Sequence, residues 1–272
     1  MKRGILMASK KPRIFLASDS TVQSYEKTFY PQTGWGQVLI NFFQGGNDYS
    51  DLPIANCSYE QARCYESESI IIENRAIGGR SSRSFIEEGK FDQLLEAIRP
   101  NDFLFVQFGH NDASIDRPNR YVSVEDYPSY ITRYIDACRE RNVTCVLVTP
   151  VARRNCDATG NFSISFNEYR EVMITLSKEH HLPLLDLGKY TTEYCSQYGI
   201  EASKELFMWL APNEYPDGPY ADGLSDDTHL QLKGATAYAN ILAHLIKSYE
   251  TDHQLDALKN IIQPKPLLPR IM

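Results

Sequence analysis

Five short runs that are apolar on both faces, separated by stretches of helical periodicity, constrain this chain more than any other feature. The runs lie at 14–17, 70–72, 103–108, 143–148 and 182–185. A strand without a polar face must be covered on both sides, as in a parallel sheet between two helical layers. Helical stretches fall between the runs, at 34–43, at 84–98 with a break at Gly89, at 125–141, at 166–179 and at 232–249. In the third of these, Tyr127, Ile131, Tyr134, Ile135 and Cys138 share one face of a helix. Strand and helix alternating at this spacing predict a doubly wound α/β sandwich.

The chain supports a core of that size. It has 272 residues, 42% hydrophobic and 23% charged, a globular balance that excludes disorder and disulfide mini-protein classes. No repeat or linker divides it, so one domain is expected over 1–272, with its core at about 12–250. Residues 44–68 read as a polar surface insertion before the second strand. Residues 188–228 read as a helix followed by a Pro/Gly/Asp-rich loop. The tail 263–272, with three prolines, reads as an extended strap.

Composition also excludes functions. A net charge of −7 lacks the basic excess of a general nucleic-acid binder. No apolar run approaches the ~20 residues that span a bilayer. The start MKRGILMASKK holds an apolar patch at 5–8 only, short of the roughly 7–15 residues of a secretory signal, so a cytoplasmic location is expected. Cys57, Cys64, Cys138, Cys145, Cys156 and Cys195 form no Cys-x-x-Cys pair and are expected as reduced, mostly buried thiols.

In open parallel sheets ligands bind beyond the carboxyl ends of the strands. Those ends carry Ser18-Asp19-Ser20-Thr21-Val22, then Asn74 to Ser84 with Gly78-Gly79-Arg80, then Gly109-His110-Asn111-Asp112, then Thr149 to Arg154. A late loop adds Asp226-Asp227-Thr228-His229. A hydroxyl, glycine amides, a carboxamide and an Asp/His pair on one rim are the parts of an acyl-transfer site.

In this order, the blocks resemble the SGNH (GDSL-type) hydrolases, and within them the rhamnogalacturonan acetylesterase branch. Ser18 stands where the family has glycine, which places a side chain beside the nucleophile turn. Gly34-Trp35-Gly36-Gln37 and Thr149-Pro150-Val151-Ala152-Arg153-Arg154 also resemble that branch. The matches span Ser18 to His229. The resemblance implies a three-layer αβα sandwich around a five-stranded parallel sheet, flavodoxin-like, that acts as a carbohydrate O-acetylesterase without a cofactor or metal.

On that resemblance Ser20 is the nucleophile, His229 the base and Asp226 its orienting acid, with the adjacent Asp227 left open as the alternative. His110, also at a strand end, rivals His229 as base and otherwise reads as a wall of the site. The oxyanion donors implied are the Ser20 and Gly79 amides and the Asn111 carboxamide. Asp19, Arg80, His110, Arg153 and Arg154 are candidate substrate contacts, with Arg83 beside them. These arginines would face an acidic sugar, or else form structural ion pairs. Trp35, Tyr215 and Tyr220 would stack on sugar rings, or else pack in the core.

Other chemistries lack their motifs. The chain has no Gly-x-Ser-x-Gly, no phosphate-binding Gly-x-x-x-x-Gly-Lys and no His-Glu-x-x-His. Asp222, Asp226, Asp227 and His229 have no further histidine at ligand spacing. Two rival expectations remain. One is a lipid esterase or thioesterase with a long apolar groove, and another an inactive carbohydrate-binding protein on the same scaffold. A homodimer through a sheet edge or through 44–68 is compatible with each. Whether 44–68 or 211–225 cover the site is open.

Overall fold

A computed structural model describes residues 11–46, 54–55 and 61–267. In chain order its strands and helices are β1 (Arg13–Ala17), α1 (Trp35–Val38), β2 (Ile54–Ala55), β3 (Arg63–Glu66), β4 (Ile71–Asn74), α2 (Ser82–Glu87), α3 (Lys90–Ala97) and β5 (Phe103–Val106). They continue as α4 (Tyr127–Glu140), β6 (Thr144–Val148), α5 (Asn167–His180), β7 (Leu184–Leu185), α6 (Leu187–Tyr198), β8 (Phe207–Leu210), β9 (Leu224–Leu230), α7 (Leu232–Lys247) and α8 (Asp256–Lys259).

The central sheet runs β2-β3-β4-β1-β5-β6-β7. Its parallel part, β4-β1-β5-β6-β7, comprises the five apolar runs of the sequence. The expectation of a five-stranded sheet is therefore corrected by two antiparallel edge strands, β2 and β3, which pair onward to β4. They arise in the segment read as a surface insertion, where Cys64 and Tyr65 are buried side by side between Arg63 and Glu66, a run too short to signal a strand. Cys57 and much of 44–60 lie outside the described residues.

Successive sheet residues feed opposite layers. Ile14, Leu16, Ile72, Phe105 and Val148 face a core closed by α1, α6 and α7. Phe15, Ala17, Leu104, Val106 and Leu147 face a second core under α2 to α5. Period-two alternation between two buried faces is why the strands read as continuously apolar. The long helical stretch at 84–98 is two helices, because Gly89 takes φ +72° between α2 and α3. The tail docks on α7 as far as it is described, where the Asn240 side chain exchanges two hydrogen bonds with Lys265.

β4 and β5 follow β1 in sequence but flank it on opposite sides. This reversal opens a crevice beyond the carboxyl ends of β1, β4 and β5, the place where doubly wound sheets hold ligands. The ladder continues past the strand ends: the Arg75 and Ile77 amides donate to the Leu16 and Ser18 carbonyls, and the Gln107 amide to Ala17. The loops carrying Ser20, Gly79 and Asn111 thus leave the sheet already in register.

Candidate active site

Ser20 sits on a tight turn directly after β1. The Val22 and Gln23 amides donate back to the Asp19 carbonyl at 3.2 and 3.1 Å. Asp19 closes the turn from within: its Oδ1 accepts from the Thr21 amide (2.9 Å) and hydroxyl (2.8 Å). Its other oxygen lies 3.3 Å from His110 Nδ1, at an angle too poor for a hydrogen bond. Burial raises the Asp19 pKa, but the facing imidazole and the Thr21 donors outweigh it and hold the carboxyl below its usual range. Asp19 is fully buried, so it supports the Ser20 turn and does not reach the cleft, contrary to its expected role as a substrate contact.

The side chain of Ser18, at the departure from the family glycine, donates to the Gln107 carbonyl at 2.6 Å. Gln107 in turn bonds Thr21 Oγ1 (2.9 Å) and accepts from Trp35 Nε1 (3.0 Å). Trp35 is therefore a core residue behind the turn and offers no face to a sugar. Tyr215 packs edge-on against Tyr30, and Tyr220 bonds Gln32, so the 211–223 loop leans on the segment before α1.

The Asp/His pair arrives on a different sheet. β8 and β9 form a separate antiparallel hairpin, and the stretch expected as a loop is part of β9. Met208 pairs with Asp226 and Phe207 with Leu230, so Asp227, Thr228 and His229 bulge from a single step of the partner strand. Bulges re-aim side chains, and this one turns His229 toward Ser20. Asp226 Oδ1 accepts the Thr228 and His229 amides at 2.6 and 3.0 Å, which fixes the bulge. Its Oδ2 lies 2.7 Å from His229 Nδ1, and His229 Nε2 lies 3.0 Å from Ser20 Oγ. Desolvation raises the Asp226 pKa, but the imidazole and the two amides more than offset it, leaving the carboxyl below its usual range.

The neighbouring acids differ in direction. Asp227 points away and accepts from Trp209 Nε1 (2.9 Å) and Arg154 (3.2 Å). The Arg154 guanidinium is further held by Ser203 and the Ile200 carbonyl. Arg154 is thus held in an ion pair, the alternative left open for it beside substrate contact.

The second and third blocks meet Ser20 from the other side. Asp112 accepts from the Ser82 amide at the start of α2 and from the Gly109 amide, both at 3.0 Å, tying one block to the other. Burial pushes this carboxyl up to about 7 despite those donors. Asn111 Nδ2 donates to the Arg80 carbonyl at 2.9 Å. Gly79 takes φ +78°, a conformation that favours glycine. Among the described residues neither the Ser20 nor the Gly79 amide donates to a protein acceptor.

These groups line one cleft of about 460 Å³, which Ser20, Gly79, Asn111 and His229 share with His110 and Arg153. His110 stands over the Phe166 ring and is separate from the Ser20 hydrogen-bond relay. Arg80 is committed to Glu88 and the Gly78 carbonyl, and Arg83 to Glu87 and the Pro118 carbonyl. Arg153 is exposed and has no carboxylate partner among the described residues. The sequence reading missed Gln23, Tyr25 and Arg120, which also line the cleft. Gln23, three residues beyond Ser20 on a turn, carried a usable signal; Arg120, in a polar loop, carried none. Among the described residues no group of three or more His, Cys, Asp or Glu side chains is placed to hold a metal ion.

A family model described as GDSL-like Lipase/Acylhydrolase matches residues 14–242. The chain belongs to this family. It is a carboxylic ester hydrolase, and Ser20 and His229 lie at the two ends of the matched region. It is 36% identical over 239 residues to the rhamnogalacturonan acetylesterase RhgT of Bacillus subtilis, across 88% of this chain and 91% of that protein. It is 37% identical over 235 residues to the probable rhamnogalacturonan acetylesterase YesY of the same organism, across 86% and 92%. Among solved structures, Bacillus subtilis YxiM superposes with a TM-score of 0.67 at 23% identity, over 88% of this chain and 56% of that longer one. The acetylxylan esterase Axe2 of Geobacillus stearothermophilus superposes with a TM-score of 0.58 at 14% identity, over 88% and 95%. At those identities the GDSL-like fold is what is shared.

Proposed function

We propose that this chain is a serine esterase that releases acetate from acetylated carbohydrate, with pectic oligosaccharides of the rhamnogalacturonan type as substrate. The observation that carries the proposal is the relay from Asp226 through His229 to Ser20, at 2.7 and 3.0 Å. The names of the two relatives above 35% identity favour the substrate class.

Each step follows from these contacts. Asp226, ionised, accepts the Nδ1 proton of His229, so Nε2 carries the lone pair that faces Ser20 Oγ. Ser20 Oγ attacks the acetyl carbonyl as its proton passes to Nε2, and the imidazolium formed is balanced by Asp226. The carbonyl oxygen gains negative charge beside the Ser20 and Gly79 amides, unmatched in the resting state, and beside the second Nδ2 hydrogen of Asn111, whose first is held by the Arg80 carbonyl. Collapse breaks the ester bond, and the Nε2 proton goes to the departing sugar oxygen. Water then gives its proton to Nε2 and attacks the acetyl-Ser20 carbonyl, and acetate leaves with Ser20 restored.

The cleft wall favours a polar substrate over a long acyl chain. Tyr25 and Phe166 are the large aromatic side chains of its lining, amid Gln23, Asn111, Arg120 and Arg153. A neighbouring basin of about 270 Å³ shares Gly79 and Arg120 with it and adds Arg117 beside the Arg80–Glu88 pair. Cations on both sides of Ser20 suit a uronic acid beside the acetylated sugar.

Acetate release from acetylated pectic oligosaccharides, by wild type and Ser20→Ala, tests this proposal. Activity confined to the wild type, with p-nitrophenyl acetate cleaved far faster than the octanoate, is the expected result. Preference for octanoate would favour a lipid esterase. Sugar binding without hydrolysis of any ester would favour a binding protein.

A further inference from the structure

We propose that Arg120 is the positioning residue of the oxyanion site, acting on the substrate through Asn111. The proposal rests on the esterase role assigned to Ser20. Arg120 ends the Arg117–Arg120 turn of the loop between β5 and α4, where its amide donates to the Arg117 carbonyl. Its Nη1 donates to Asn111 Oδ1 at 2.9 Å and lies 3.4 Å from the Gly79 carbonyl. One guanidinium nitrogen therefore touches both residues that, with Ser20, would hold the developing oxyanion.

Hydrogen-bond chemistry explains why a cation is needed there. A carboxamide has nearly identical shape when flipped, so its orientation must be imposed by its partners. Arg120 can only donate and the Arg80 carbonyl can only accept. Together they hold Oδ1 toward Arg120 and Nδ2 toward Arg80, leaving the second Nδ2 hydrogen for the cleft that Asn111 lines. A flipped amide would set NH2 against guanidinium and oxygen against oxygen.

Charge adds to orientation. No carboxylate is paired with Arg120 among the described residues, whereas Arg80, Arg83 and Arg154 each have one. Its positive charge is therefore not cancelled by an adjacent acid. It polarises the Asn111 amide, making Nδ2–H a stronger donor as the carbonyl oxygen becomes anionic. The benefit arises in the transition state, so kcat should carry it and KM should not.

The test is p-nitrophenyl acetate hydrolysis by wild type, Ser20→Ala, Arg120→Ala, Arg120→Lys, Asn111→Ala and the Arg120→Ala/Asn111→Ala double variant. Arg120→Ala should lower kcat by about 10–100-fold with KM within about threefold, and Arg120→Lys should fall between it and wild type. The double variant should be no slower than Asn111→Ala alone, because both act through one donor. Guanidinium at millimolar concentration should restore part of the activity of Arg120→Ala and none of Asn111→Ala. Should Arg120→Ala fail to fold, Arg120→Lys and Arg120→Gln carry the same comparison. Wild-type kcat in the arginine variants, or losses that multiply in the double variant, would overturn the proposal while leaving Ser20 as nucleophile. Hydrolysis undiminished in Ser20→Ala would instead remove the esterase role on which it rests.

Discussion

Asp226 and Asp227 are adjacent in sequence, yet their carboxylates serve opposite sides of the same bulge. The first holds His229 at 2.7 Å; the second accepts from Trp209 and Arg154 on the far side. Asp226→Asn should therefore cut kcat for ester hydrolysis by about 10³–10⁴ while the protein stays folded. Asp227→Ala should leave kcat within a few-fold but cost about 1–3 kcal/mol, since it strands a largely buried guanidinium and an indole N–H. Paired kinetics and urea unfolding check both halves, and a reversed pattern would mean that the two roles are exchanged.

Gly79 combines a left-handed backbone with a close neighbour. A Cβ there would stand 3.1 Å from Arg120 Nη1, on a residue held at φ +78°. Gly79→Ala should lower kcat by about 10–100-fold, and left-handed backbone strain should cost roughly 1–2 kcal/mol. A variant with unchanged kcat would show that the Gly79 amide does not face the reacting oxygen.

Gly36 explains why the Gly34-Trp35-Gly36-Gln37 block accompanies the catalytic ones. A Cβ on Gly36 would come within 2.6 Å of the Val22 carbonyl oxygen and 2.7 Å of a Leu16 methyl. The helix start is thus laid directly on the strand and turn that present Ser20. Gly36→Ala should destabilise the fold by about 3 kcal/mol, the upper range for overpacking, and thermal unfolding measures it.

Asp112 supplies a pH signature. Its carboxyl is pushed up to about 7 by burial, against about 3.9 when unfolded. The folded state thus binds this proton more tightly, a contribution fully present below pH ~4 and lost as pH rises through ~7. The stability advantage of wild type over Asp112→Asn should shrink between pH 4 and 7 and level off above. Urea midpoints of both proteins at pH 5 and 8 test this, and an advantage that grew with pH would contradict it.

Arg153 is the exposed cation of the cleft wall. Arg153→Ala should raise KM for acidic acetylated oligosaccharides by about 5–10-fold, the range of one charge-assisted hydrogen bond. Hydrolysis of p-nitrophenyl acetate should be unaffected. Equal effects on both substrates would assign Arg153 to the fold.

What the sequence showed and hid follows from where the physical signal lies. The parallel strands announced themselves because burial on both faces leaves only apolar residues, as in Leu104 and Val146. The antiparallel strand β3 sets Cys64 and Tyr65 between Arg63 and Glu66 with no period-two alternation, and four residues are too few to stand out from a polar segment. β9 was hidden by its polar side chains. Its Ser225-Asp226-Asp227-Thr228-His229 stretch is polar because the bulge carries the Asp226–His229 pair and the Arg154 ion pair, so local pattern pointed to a loop. Ser20, Gly79, Asn111 and His229 were legible as candidates because strand ends limit where ligands bind. Arg120 was not, since only the fold brings its loop behind Asn111.

The placement of the bulge at the base of the hairpin separates two kinds of change. Three rungs, Met208 with Asp226, Trp209 with Ser225 and Leu210 with Leu224, stand between His229 and the 211–223 tip. Alterations in the length or composition of the tip are absorbed by the free end of a ladder whose far end stays clamped. Asp226 and His229 travel as a unit four residues long, insulated from the tip. Loop exchange at 211–223 can therefore change the tip without moving Asp226 or His229.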